Sequence, residues 1–349
     1  MLVLGIETSC DETALALVAD GRKVLGTQVA SSLKQHQRYG GVVPEIASRA
    51  HVELLTYELE ALFSAAKINP ADVDRIAVTH GPGLPGSLTV GVAAAKALGI
   101  AWGKEVVGVN HLQAHLYAAL METPGWALDA PMIGLVISGG HTALVRMKGI
   151  REYRLLGQTR DDAVGEAFDK VAKVLGLGFP GGPEIERVAR QGNPKSHRFS
   201  KPKIKSGSPY DFSLSGIKTA VLYKVREAVG VPLQAAGSIG SLPKLDAAQV
   251  SDLAASFQSS VVEEVVMKCV AACRSNRILR LTVGGGVVAN RLLRERLKSV
   301  CADLKIETAI PSMSLCTDNG AMVAGLGRHV SPVAPMALAT VPDLRVELN

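Results

Sequence analysis

One short pattern occurs twice in this chain. The apolar residues 2–6 break at the polar turn Glu7-Thr8-Ser9-Cys10-Asp11-Glu12, and a second apolar run returns over 13–18. Further on, Gly134-Leu-Val-Ile-Ser138 breaks at Gly139-Gly140-His141 and returns over Thr142–Met147. Both returning runs open with Thr-Ala-Leu, at Thr13 and again at Thr142. Apolar runs joined by tight polar turns specify β-hairpins. A repeated hairpin of this kind predicts two lobes built alike.

Beyond each hairpin the chain alternates between helix and strand. Residues 22–29 supply a third strand. Ile46, Ala50, Leu54, Leu55, Leu59, Leu62 and Phe63 recur at helical spacing within 44–67. A strand at 75–79, a small-residue helix at 87–101, a strand at 106–109 and a helix from Asn110 to about Leu120 come next, with Asn110 as N-cap. Residues 122–130 contain Pro and Gly without periodicity and read as a junction. Helices are expected at about 163–176, 183–191, 214–228 and 246–274, and a loop between Val231 and Ala247. A strand at 279–283, a helix at 290–301, a strand at 306–310 and a last helix at 319–328 complete the chain. The expected class is α/β, with duplicated lobes around a cleft. One lobe covers 1–130, joined by the segment 315–349; the other covers 131–314. Ligands would sit between the lobes, at the Gly-rich strand ends.

Composition narrows the choices. Of 349 residues, 47% are hydrophobic and 20% charged, which suits a sizeable core and excludes global disorder. The 38 Lys+Arg against 32 Asp+Glu give +6, a balance that permits a nucleic-acid partner without requiring one. Five scattered cysteines with no C-x-x-C pair argue against a disulfide framework or a zinc knuckle. A cytoplasmic location is the expectation. The N-terminus lacks a basic segment and reads as a strand, and no 18-residue apolar run occurs, so no membrane association is expected.

Several motifs carry chemistry. Gly81-Pro82-Gly83-Leu84-Pro85-Gly86 has the spacing of a dinucleotide fingerprint. Two prolines, however, remove N–H donors, and no acid follows the next strand. A proline-stiffened turn is the better reading. The turns at Glu7–Glu12, Ser138–Thr142 and Gly284-Gly285-Gly286 offer backbone N–H groups suited to phosphate. His111 and His115 lie four apart on one helical face, a spacing that fits a shared metal and a packed pair equally. Leu112 stands where a zincin protease needs Glu. Asp318, at a helix start, reads as a third ligand or as an N-cap. Asp162, Glu166 and Asp169 fall near one face, where a ligand or the helix dipole would offset their repulsion. From Arg187 to Lys205 seven basic residues occur without an acid, a candidate phosphodiester surface.

Taken together, these motifs resemble the universal tRNA adenosine threonylcarbamoyltransferase family from about residue 3 to 328. The landmarks are Gly5-Ile-Glu-Thr-Ser-Cys-Asp-Glu-Thr13, His80-Gly-Pro-Gly-Leu-Pro-Gly-Ser87, His111-x-x-x-His115, Ser138-Gly-Gly-His-Thr142, Gly165-Glu-Ala-Phe-Asp-Lys170, Phe179-Pro-Gly-Gly-Pro183, Phe212-Ser-x-Ser-Gly-x-Lys218, Gly285-Gly-x-x-x-Asn290 and Thr317-Asp-Asn-Gly320. The resemblance implies the two-lobed actin/Hsp70/sugar-kinase fold with a nucleotide cleft between the lobes. It implies transfer of a threonylcarbamoyl group from threonylcarbamoyl-AMP to N6 of the adenosine 3′ to the anticodon, in tRNAs reading codons that begin with A. It implies one divalent metal ion, iron or zinc, on His111, His115 and Asp318. Val136, Ile137, Ser138, Gly139, Gly140, Asp169, Gly182, Glu186 and Asn290 would line the adenylate site, Glu186 standing where many relatives carry Asp. Implied partners are tRNA, an inactive paralogue forming a heterodimer, a small P-loop ATPase and an upstream threonylcarbamoyl-AMP synthase.

Asp11 and Glu12, at the first strand turn, are the candidates for a base that takes the N6 proton. The competing readings are a metal-dependent protease, a small-molecule kinase or carbamoyltransferase of the same fold, and a catalytically dead scaffold. The protease reading lacks its Glu beside His111, and the scaffold reading leaves the His111, His115, Asp318 set without a purpose.

Overall fold

The computed structural model describes residues 1–199, 207–231 and 245–347. Two five-stranded sheets frame it. The first contains β1 (Leu2–Glu7), β2 (Glu12–Ala19), β3 (Lys23–Ser31), β4 (Arg75–Gly81) and β5 (Glu105–Asn110), in the order β3-β2-β1-β4-β5. The second contains β6 (Pro131–Ile137), β7 (Thr142–Lys148), β8 (Tyr153–Gln158), β9 (Arg280–Gly284) and β10 (Glu307–Ala309), in the order β10-β9-β6-β7-β8. Read from the other edge, the second order repeats the first. In each sheet three antiparallel strands form a meander, and two parallel strands extend it from the meander's first strand. This is the duplication that the repeated Thr-Ala-Leu implies.

The ten helices are α1 (Leu33–His36), α2 (Pro44–Ala66), α3 (Pro85–Trp102), α4 (His111–Met121), α5 (Val164–Val174), α6 (Gly181–Ala189), α7 (Ser215–Ala228), α8 (Ala247–Asn276), α9 (Arg291–Asp303) and α10 (Gly320–Gly327) among the described residues. Most lie within a few residues of their expected bounds. Strand β8 and the short α1 are additions to the expected elements. In β8 the adjacent Leu155 and Leu156 blur the two-residue period, because a register shift opposite Leu144 and Val145 bulges the strand there. The expected loop between Val231 and Ala247 lies largely outside the described residues.

Helices α4 and α10 pack on each other between the two sheets, and every residue of both is buried. Neither presents a face to solvent, as expected of a helix covered on all sides. Leu116, Leu120, Met322, Val323 and Leu326 form one core cluster there with Val107, Val109, Met132 and Val145. Each such buried side chain contributes about 1.5–3 kcal/mol. Close approach sets the fit. A β-carbon on Gly5 would collide with the Gly320 carbonyl oxygen, and one on Gly284 with that of His115. A second cluster joins α5, α7, α8 and α9 to the second sheet and includes Cys269 and Cys273, both fully buried.

After α10 the chain runs back along the first sheet. Val341 N–H donates to His80 O at 2.8 Å, Asn110 Nδ2 to Arg345 O at 2.9 Å, and Gln113 Nε2 to Val346 O at 2.8 Å. Leu155 N–H of β8, in the other sheet, donates to Glu347 Oε1 at 2.8 Å. Among the described residues no helix is long and apolar enough to cross a membrane.

A candidate metal and nucleotide centre

Strand β5 ends at Asn110, whose side-chain oxygen accepts from Leu112 N–H at 3.0 Å and Gln113 N–H at 3.3 Å. This cap starts α4 at once, so His111 occupies its first turn and His115 the next. The two rings meet edge to face, centroids 4.6 Å apart. Asp318 immediately precedes α10, but Asn319 is the cap there, accepting from Met322 N–H at 2.8 Å. The Asp318 carboxylate is therefore free to face the imidazoles. Its Oδ1 lies 3.1 Å from His115 Nε2 and 3.8 Å from His111 Nε2. One ligand atom from each of the three residues lies within 4.8 Å of the others.

His115 is wholly buried; its Nδ1 has no hydrogen-bond partner, and its Nε2, without an aligned hydrogen bond, meets only the Asp318 carboxylate at 3.1 Å. Leaving such an atom unsatisfied costs about 1–3 kcal/mol. A cation beside Nε2 removes that cost for one nitrogen. The donor set fits: two neutral nitrogens and one carboxylate suit zinc or iron and leave coordination positions open.

Two further groups, not identified from the sequence, belong here. Glu7 ends the apolar strand β1 and is fully buried. Its Oε2 lies 3.2 Å from His111 Nδ1 and accepts from Thr79 Oγ1 at 2.5 Å, while Oε1 accepts from Ser9 N–H at 2.6 Å. A carboxylate on the far nitrogen of a liganding histidine fixes the ring's tautomer and direction. Burial would raise the Glu7 carboxyl, but the adjacent His111 overrides it and holds it below the usual range. His141, in the Gly139-Gly140-His141 turn, faces the cluster from the second sheet. Burial, then His111 and His115, push it down to about 4.

The charges around the cluster are dominated by acids. Burial opposes ionisation of Asp318, yet His111 and His115 hold it at about 2. Burial would lower His111, but Glu7 and Asp318 raise it to about 9. Glu12 is pushed up to about 9 by burial and by Asp318, Asp11 and Glu7. A divalent cation would offset this crowding of carboxylates.

The turn carrying Asp11 and Glu12 is braced on three sides. Ser32 donates to Asp11 O through N–H at 3.0 Å and Oγ at 2.9 Å. His51 Nε2–H donates to Cys10 O at 3.0 Å, and Thr13 Oγ1–H donates to its Nδ1 at 2.7 Å. The proline-rich turn before α3 is the third brace. Gly83 N–H donates to Pro342 O and Leu84 N–H to Ser9 O, so these donors are not available to a phosphate. The stiff-turn reading of Gly81–Gly86 agrees with this arrangement.

On the other side of the cluster, Val136 and Ile137 are buried at the end of β6. Ser138 starts a tight turn in which its N–H donates to His141 O at 2.8 Å. Gly139 and Gly140 there have open space where side chains would stand, as does Gly182. Asp169 Oδ1 accepts from Gly181 N–H at 2.7 Å at the start of α6. Glu186, on α6, pairs with Arg190 at 3.2 Å. Asn290 caps α9, accepting from Leu293 N–H at 3.0 Å and donating to Gln258 Oε1 at 2.9 Å. Arg291, next to Asn290, lies within electrostatic reach of Glu186.

The expected carboxylate face on α5 is differently employed. Asp162 lies before the helix and binds Lys170 at 2.5 Å and Lys218 at 2.8 Å. Asp161 accepts from Leu214 N–H at 2.7 Å and from Ser213 and Ser215 Oγ at 2.6 and 2.7 Å, capping α7. Protein cations and a helix start, rather than a ligand, offset these two charges.

Known proteins resemble this chain in sequence and in fold. Residues 23–325 match the family described as tRNA N6-adenosine threonylcarbamoyltransferase. A curated protein of that name from Dictyoglomus turgidum is 47% identical over 99% of this chain and 98% of its own length. One from Thermomicrobium roseum is 46% identical over 95% of this chain and 92% of its own. Among solved structures, full-length HypF in the phosphate- and nucleotide-bound form superposes with a TM-score of 0.59 at 13% identity, over 95% of this chain and 47% of that one. Component A of Acidaminococcus fermentans (R)-2-hydroxyglutaryl-CoA dehydratase gives 0.51 at 12% identity, over 93% and 97%. At such identities the likeness is one of fold, and the fold is of the actin/Hsp70/sugar-kinase type.

Proposed function

Because the chain belongs to the tRNA N6-adenosine threonylcarbamoyltransferase family, we propose how its own residues perform that transfer. The enzyme places a threonylcarbamoyl group on N6 of an adenosine in tRNA. The donor is threonylcarbamoyl-AMP, and the acceptor is the adenosine 3′ to the anticodon in tRNAs reading codons that begin with A. The N6 lone pair attacks the carbamoyl carbon; the new C–N bond forms, the C–O bond to phosphate breaks, and AMP leaves while N6 loses a proton.

The cleft lies between a lobe formed by 1–130 with 315–349 and a lobe formed by 131–314. Val136–Gly140, Asp169, Gly182, Glu186 and Asn290 hold the adenylate. The open turn at Gly139 and Gly140 lets backbone N–H groups approach the phosphate and offset the charge that builds on it. His111, His115 and Asp318 hold one divalent ion, iron or zinc, which when bound supplies polarisation of the carbamoyl carbonyl and an anchor for the threonyl part. Glu7 keeps the His111 ring in its liganding orientation. Asp11 and Glu12, held beside the same centre by Ser32 and His51, are the candidates to take the N6 proton. An exocyclic amine is a weak nucleophile, so positioning contributes the larger share of the rate.

The observation that carries this reading is His115: buried, without an aligned hydrogen bond at either nitrogen, and facing the Asp318 carboxylate at 3.1 Å beside His111. The protein works in the cytoplasm with an inactive paralogue as heterodimer partner, a small P-loop ATPase and an upstream threonylcarbamoyl-AMP synthase. The test is mass spectrometry of tRNA nucleosides after incubation with threonine, bicarbonate, ATP, the synthase and those partners. Threonylcarbamoyladenosine forms with the native chain and is lost with the His111→Ala, His115→Ala double variant. Full activity of that variant would remove the metal role. An Asp11→Asn protein that folds, binds AMP and transfers at the normal rate would remove Asp11 as the base.

A further inference from the structure

The basic stretch singled out in the sequence is partly neutralised in the fold. Arg187 pairs with Glu184 at 2.8 Å and Arg190 with Glu186 at 3.2 Å, leaving Lys195 and Arg198. Lys201, Lys203 and Lys205 lie outside the described residues. A different surface stands out: the hairpin of β7 and β8. Arg146 of β7 is directly opposite Arg154 of β8, and both are exposed. Lys148 lies two residues along the same face from Arg146, and Arg151 is in the connecting turn.

Like charges placed opposite one another across strands repel. Among the described residues Arg146, Arg151 and Arg154 form no ion pair, and Lys148 reaches only Glu152, at 3.7 Å between two well-exposed side chains. Edge protection accounts for Arg154, since β8 is an edge strand, but not for Arg146. Charged residues on an edge strand prevent unwanted sheet pairing, but β7 lies between β6 and β8. Lys148 and Arg151 also line an open cavity of about 320 Å³ with Asp129 and His329. Arg328 and His329 both approach Gly21, the neighbour of Arg22.

Position supports a substrate role. Strand β7 starts at Thr142, next to His141, which faces the metal-ligand cluster. At about 3.3 Å per residue, Arg146 and Lys148 stand roughly 13–20 Å along the strand from that turn. An RNA whose target base is in the cleft would lay flanking backbone at such a distance.

We propose that the β7–β8 hairpin is a docking surface for the phosphodiester backbone of the RNA substrate, with Arg146, Lys148, Arg151 and Arg154 gripping its phosphates. The inference rests on the assignment of tRNA as substrate. Guanidinium groups suit it, because each can grip a phosphate through two donors. No sequence preference follows, since the backbone is the part recognised.

The test measures affinity for an unmodified tRNA transcript over a range of salt concentrations. The variant is Arg146→Gln, Lys148→Gln, Arg151→Gln, Arg154→Gln in the full chain; the control is Arg146→Lys, Arg154→Lys. The fourfold variant should bind at least about tenfold more weakly near 0.1 M salt, and its log affinity against log salt should flatten by about one unit for each phosphate no longer neutralised. The lysine control should keep affinity and slope. AMP binding should be unchanged in both, because none of these residues touches the cleft, and the thermal midpoint of the fourfold variant should not fall, because the change relieves like-charge repulsion. A folded fourfold variant with the native affinity and slope overturns the proposal. A native chain that, with its partners, neither binds nor modifies tRNA overturns the assigned substrate, and this surface with it.

Discussion

The residues most informative about the centre differ in how visible they are in sequence. His111 and His115 announce themselves by spacing, since four residues place both imidazoles on one face of any helix. Asp318 is ambiguous between ligand and cap in sequence, and the structure resolves it by giving the capping role to Asn319. Glu7 leaves no such trace. It ends an apolar strand, and its partner His111 is 104 residues away, so no local pattern records the pair. Glu7→Gln should therefore keep the fold but weaken metal binding by about 10–100-fold, because the amide no longer draws the Nδ1 proton as a carboxylate does. Competition with a chelator of known affinity measures this; an unchanged metal affinity would reduce Glu7 to a buried strand end.

At the scale of elements, helices with one apolar stripe and strands with clean alternation are readable, whereas β8 is hidden by its bulge. Capping from a distance is hidden too. Asp161 sits beside an acidic face in sequence, yet it holds the start of α7, with Leu214 53 residues further on. Asp161→Ala should destabilise the protein by about 1–2 kcal/mol in urea at neutral pH. Burial opposes ionisation of this carboxyl, but Ser213, Leu214 and Ser215 hold it below the usual range. A depressed folded value means the contribution is complete above the unfolded value of about 4 and disappears as pH falls through the folded one. The stability gap between native and variant should therefore narrow below pH ~4; a gap that is constant with pH would show that the cap does not depend on charge. Helix α4 offers a second check. Gly284→Ala would drive a methyl group into the His115 carbonyl, so it should lower both stability and metal affinity.

At the scale of the molecule, the duplicated topology is legible because a hairpin's alternation survives in sequence even when little else of the repeat does. How the chain after α10 ties the parts together is not legible, since its bonds run to residues far away in sequence. Residues 341–347 bond to β4, to both sides of the β5–α4 junction and to β8 of the other sheet. Ending the chain at Val330 should lower the thermal midpoint by several degrees and speed proteolysis between the sheets, read by calorimetry and timed digestion; a truncated protein that melts with the intact one would make this segment ornamental. The same path has a practical side. Arg345 is exposed and lies two residues before the Glu347 bond to β8. A dye carried there by Arg345→Cys would sit at the seam between the two sheets, where its fluorescence should report any change in their separation from the solvent side.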